Sequence, residues 1–170
     1  MKDILGNEMI RQSVIVMHQD TNKIIRCLQE LDEENIWISP NEHLNSIGNL
    51  ILHLCGNIRQ YIISSLGREE DIRERKLEFS TRGGYQKSEL IEKLQETIEK
   101  AVAVMGDSIQ EELLQERIVQ GNMHSGIGII VHVTEHYSYH TGQIIFLTKL
   151  FQNMDLNFYP GADLNKRNVI

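Results

Sequence analysis

Residues 125–152 read SGIGIIVHVTEHYSYHTGQIIFLTKLFQ, and the fold is decided there. Ile129, Ile130, Val133, Tyr137, Ile144, Leu147 and Leu150 recur at three- and four-residue intervals, the period of a helix that buries one face. With no proline in the run, the spacing predicts one long helix from near Ser125 to about Gln152.

The same period appears upstream. Met9, Ile10, Val14, Met17, Ile24, Ile25 and Leu28 mark a first helix from Ile4 to Leu31. Ile47, Leu50, Ile51, Leu54, Ile58, Tyr61 and Ile62 mark a second, capped by Asn45 or Ser46 and ending at Gly67. Leu90, Ile91, Leu94, Ile98, Val102 and Met105 mark a third, with Ser88 as cap and Gly106 as end. Between them lie a polar connection from Asp32 to Pro40, over which Trp37 is expected to cover the bundle, and a long charged loop from Gly67 to Lys87. A short helix over 108–115 completes the list, and the tail beyond Phe151 is irregular. The expectation is an all-α chain, an up-down four-helix bundle with uneven loops, forming one domain over 1–170 with its core at about 4–152.

The composition agrees and excludes several classes. A 170-residue chain that is 41% hydrophobic and 24% charged can bury a core without staples. Seventeen Lys and Arg against 24 Asp and Glu leave a net charge of −7, which argues against a nucleic-acid partner. Cys27 and Cys55 are too few for a disulfide framework, and the N-terminus shows no basic segment followed by an apolar run and cleavage site. The windows 127–133 and 144–150 fall short of the roughly 20 apolar residues of a membrane span. A soluble, cytoplasmic protein is expected, with no membrane partner.

Seven histidines carry the chemical signal. His18 has no partner at helical spacing, and His43 and His124 precede helix starts, where a ring is readily solvated. His132, His136 and His140 stand four residues apart, on one drifting stripe of the last helix. Alone, such spacing is a weak signal and reads sooner as a polar stripe or a hydrogen-bonded core pair. His53 adds weight, because it lies in the apolar run Leu50-Ile51-Leu52-His53-Leu54, where a buried imidazole needs a partner. Three histidines from two helices would leave an ion open positions, as in catalytic sites. Asn49, Asn57 and Gln143 lie one turn from these histidines and are candidate donors to them or to a substrate. Cys55 is turned away from His53, and Tyr137 stands where a His-Glu-x-x-His peptidase carries its glutamate.

His136-Tyr-Ser-Tyr-His140-Thr-Gly142-Gln143, together with Ile47-Gly48-Asn49-Leu50-Ile51-Leu52-His53-Leu54, resembles the DinB/YfiT-like superfamily of bacterial four-helix bundles over most of the chain. The charged run Arg73 to Phe79 is similar to a loop in a subgroup with no assigned function. The resemblance implies a divalent metal, zinc or nickel, held by His53, His136 and His140, and often a homodimer. It implies that His132 is packed nearby or hydrogen-bonded, a candidate partner of the site or its substrate rather than a ligand. Some members of the superfamily are thiol transferases or isomerases that use bacillithiol, mycothiol or glutathione.

Two functions follow as expectations. One is a metal-dependent enzyme of hydrolase or thiol S-transferase type, acting on a small molecule at an open coordination position, with a low-molecular-weight thiol as candidate cofactor. The other is a non-catalytic, stress-associated metal protein whose ion ties the second helix to the last.

Overall fold

The computed structural model describes residues 4–167. The ends of the expected 1–170 span, residues 1–3 and 168–170, lie outside the described residues. Four long rods form the bundle: α1 (Ile4–Glu30), α3 (Ile47–Ile58, continuing as a π-helical stretch Arg59–Leu66), α5 (Lys87–Asp107) and α7 (Gly126–Gln152). Short elements join them: α2 (Glu33–Ile36), α4 (Arg75–Ser80), α6 (Gln110–Leu114) and a hairpin of β1 (Glu116–Val119) and β2 (Asn122–Ser125). α1 packs against α7 and α5, and α3 packs against the same two helices.

The buried stripes are those the periodicity marks, except that Leu150, at the end of the α7 stripe, turns outward and is exposed. Met17, Ile24 and Leu28 of α1 meet Ile51, Leu54 and Ile58 of α3, Leu94 and Ile98 of α5, and Val133, Tyr137 and Ile144 of α7 in one apolar core. The fully buried Tyr137 donates its hydroxyl hydrogen to Thr21 Oγ1 at 2.8 Å, because the Thr21 hydrogen goes to the Met17 carbonyl. That bond pins α7 to α1 one residue after His136.

Ser46, not Asn45, caps α3: its Oγ accepts from the Asn49 N–H at 3.2 Å, while Asn49 Oδ1 accepts from the Ser46 N–H at 3.3 Å. Trp37 covers the start of α3 as expected, with its ring against Gly48, where a Cβ would come within 2.7 Å of it. Ser125 caps α7 and accepts from the Gly128 N–H at 3.0 Å.

Two expectations are corrected. The 67–87 loop contains α4, whose Glu78 is buried against α3. α5 begins at Lys87, one residue before the expected Ser88 cap, and the Glu89 carboxylate accepts from the Gln86 N–H at 2.7 Å. The all-α class holds, with one small addition over 116–125, a hairpin in which Glu116 faces Ser125 and Val119 faces Asn122. Its two-residue turn has positive φ at both positions, Gln120 at 50° and Gly121 at 79°, as the right-handed strand twist demands. Among the described residues no helix is long and apolar enough to cross a membrane.

Candidate metal centre

The site forms where α3 crosses α7. His53 comes from the apolar run of α3 and is 6% exposed; His136 and His140, one turn apart on α7, are half-buried. His53 Nε2 lies 3.1 Å from His136 Nε2. The three rings stand with centroids 4.4–5.0 Å apart, and one ring nitrogen from each falls within 4.8 Å of the others. Among the described residues this is the one group of three or more His, Cys, Asp or Glu side chains so placed.

The outer nitrogens of two rings are held. Glu78 Oε2 lies 2.8 Å from His53 Nδ1, and Gln143 Oε1 lies 2.7 Å from His140 Nδ1. Each oxygen accepts the Nδ1 hydrogen, so each ring carries its lone pair on Nε2. His136 Nδ1 is buried without a hydrogen-bond partner among the described residues. Burial first, and the neighbouring His140, His53 and His132 next, push the His136 pKa down to about 3. Burial likewise lowers that of His140 against the opposing Gln143 hydrogen bond. Neutral imidazoles with lone pairs gathered in one place are the form in which histidine ligates a transition metal. The donor set therefore fits the ion that the resemblance implies.

Glu78 is itself held. Burial raises its pKa, but hydrogen bonds from Arg73 and His53 outweigh that and keep the carboxyl below its ordinary range. Arg73 donates from Nε to Oε1 at 2.6 Å and from Nη2 to Oε2 at 2.8 Å, a two-pronged pairing with its side chain only 2% exposed. Its Nη1 donates to Gln60 Oε1 at 2.9 Å, and the same oxygen accepts from Gln120 Nε2 of the hairpin turn at 2.6 Å. Phe79 packs on the His53 ring at 4.8 Å, with the Arg75 guanidinium 4.9 Å from the Phe79 centroid.

The remaining candidates divide. Gln143 stands on His140. Asn49 lies away from the imidazoles and spends its amide on the backbone, donating to the carbonyls of Glu78 at 2.9 Å and Thr81 at 2.8 Å. His132 is outside the triad: Asn57 Nδ2 points at its Nε2 from 3.5 Å, and its ring lies against Tyr61 at 4.4 Å. His124, read from sequence as a solvated ring, instead leans on Tyr61 and His132 with Nε2 buried and without a partner among the described residues. Cys55 is buried, and burial pushes its thiol up to about 11 against an opposing Thr97 hydrogen bond, so it offers no thiolate at neutral pH.

Sequence reading missed Glu78 as a site residue, along with Gly56 and Gln60. The signal was present: Asn49, His53, Gly56 and Gln60 follow one another at intervals of four, three and four, one face of α3, and all four meet the 73–81 segment.

The bundle that carries this histidine cluster has the fold of solved DinB-like proteins. Among the crystal structures that resemble the chain is the DinB-like protein YjoA of Bacillus subtilis (TM-score 0.67, 18% identity, covering 87% of this chain and 96% of that one). Another is a DinB-like protein of Bacillus cereus ATCC 10987 (TM-score 0.64, 14% identity, covering 86% and 92%). The chain belongs to the family described as protein of unknown function DUF1572, whose profile matches residues 5–159. No curated protein matches it in sequence.

Proposed function

We propose that the chain binds a divalent transition metal, zinc or nickel, through His53, His136 and His140, and is a metal-dependent enzyme of hydrolase or thiol S-transferase type. The observation that carries this reading is the 3.1 Å approach of two Nε2 atoms, with His53 Nδ1 already committed to Glu78. Such an ion supplies Lewis acidity, lowering the pKa of a water or thiol brought to it. Three neutral ligands leave its charge undiminished and its remaining positions for a small-molecule substrate or a low-molecular-weight thiol. Gln143 and Glu78 hold their imidazoles in the ligating tautomer. Asn57 Oδ1, buried and without a partner among the described residues, is an acceptor for a substrate hydrogen.

A second reading has the ion joining α3 to α7 without catalysis, favoured by the polar character of this stretch of their contact, where rings face rings. We also place the protein in the cytoplasm, in keeping with two buried free thiols. The homodimer reading is supported by α7's outward Val131, Tyr139, Phe146 and Leu150, each more than half exposed.

Elemental analysis of protein purified without a metal-affinity tag tests the metal. About one equivalent per chain is expected, and less than about one per two chains overturns both readings. If a chelator strips the ion and melts the bundle while thiols leave the d-d spectrum of a cobalt-loaded sample unchanged, the structural reading stands and the thiol-transfer one falls.

A further inference from the structure

Glu78 belongs to neither helix that carries the histidines, yet one face of α3 is given over to receiving it. Asn49 holds its backbone carbonyl, His53 meets its carboxylate, and Gly56 leaves the room it occupies, since a Cβ at 56 would overlap Oε1. Gln60, one turn on, takes the far end of Arg73. A buried carboxylate is costly unless paired, and here both oxygens are engaged, Oε1 by Arg73 alone and Oε2 by Arg73 and His53. Such an arrangement does more than close a loop. An acceptor at Nδ1 decides which nitrogen of His53 keeps its hydrogen, and so which one faces His136 with a lone pair.

We propose that Glu78 is the positioning residue of the centre, fixing His53 in the Nδ1–H tautomer, and that Arg73 holds the Glu78 carboxylate in place for that task. This rests on the metal reading for its purpose, but the tautomer itself belongs to the metal-free chain. The Arg73 fork has a specific part. It occupies Oε1 and shares Oε2, so the carboxylate is held at His53 Nδ1 and kept from turning toward the histidine nitrogens on the other side of the ring. Arg73 Nη2 also lies 3.2 Å from His53 Nδ1, but its hydrogen is directed to Oε2 at 2.8 Å.

The test compares the full-length wild type with Glu78→Gln and with the double variant Glu78→Gln/Arg73→Met, which leaves no unpaired buried guanidinium should the single variant fail to fold. Two readouts are taken. Side-chain 15N NMR of the metal-free protein reports the His53 tautomer, and competition with a chromophoric chelator reports Zn²⁺ affinity. The expected result is Nδ1–H in the wild type, a mixed tautomer in the double variant, and Zn²⁺ affinity lower by about 10–100-fold. A wild-type tautomer or a wild-type affinity in the double variant overturns the assignment. A wild-type chain that binds no Zn²⁺ refutes the metal reading by itself, and the tautomer comparison then decides the role of Glu78 alone.

Discussion

Gly56 and Glu78 share one space between α3 and α4: a methyl group at 56 would overlap Glu78 Oε1 and stand 3.1 Å from Arg73 Nε. Both atoms belong to a buried ion pair that could make room only by giving up its hydrogen-bond geometry. Gly56→Ala is therefore expected to destabilise the fold by about 1–3 kcal/mol, the range for overpacked sites. Gly142, also inside a helix, meets nothing within 4 Å, so Gly142→Ala should stabilise by about 0.5–1 kcal/mol. Urea unfolding of the two variants checks the contrast; equal effects would mean that helix propensity, not the carboxylate's space, governs position 56.

His132 stands on the same stripe of α7 as the ligand pair but pairs with Asn57 and Tyr61. His132→Gln should leave Zn²⁺ affinity near the wild-type value. His140→Gln should lower it by more than the roughly 10–100-fold that losing an outer partner costs. Isothermal titration of both variants separates a three-histidine centre from one that includes His132.

The Tyr137 hydroxyl bonds to Thr21 in the core, whereas Thr21 keeps its bond to the Met17 carbonyl without it. Tyr137→Phe is expected to cost about 0.5–1.5 kcal/mol in chemical denaturation and to leave metal stoichiometry unchanged. A change in stoichiometry would mean that α7 shifts at His136 when its tie to α1 is cut.

Acid should weaken the metal-free fold. The native pKa of His136, about 3, lies below the ordinary 6.5, so the unfolded chain binds more protons between these values and stability falls as pH drops below about 6.5. His132 and His140 are shifted in the same direction. Glu78, held below its ordinary range, adds a further loss as pH falls through its native pKa. Urea midpoints measured from about pH 7.5 to 5 should decline steadily; a flat profile would show that these rings are solvated.

Much of the architecture was legible because burial along a helix leaves a period. Ser125, the α7 stripe and the His136-x-x-x-His140 spacing are local features, and their geometry follows from 3.6 residues per turn. His53 was legible for the opposite reason, as a polar side chain in an apolar run. The hairpin escaped because its turn is Gln120-Gly121 rather than the Asn-Gly or Asp-Gly that marks such turns, and its strands are four residues each. α4, at six residues, is too short to show a period.

Sequence by itself determined the four rods, the faces they bury and which histidines share a helix face, since each depends on neighbours within a turn or two. It did not determine that Glu78 and Arg73 are buried at the centre, that His124 lies against Tyr61, or that Asn49 serves a backbone rather than a ring. In isolation a glutamate and an arginine in a charged run belong in water, because burying either one alone is costly. Only the tertiary structure, by setting the two against Gly56 and beside His53, removes that cost and makes them part of the site.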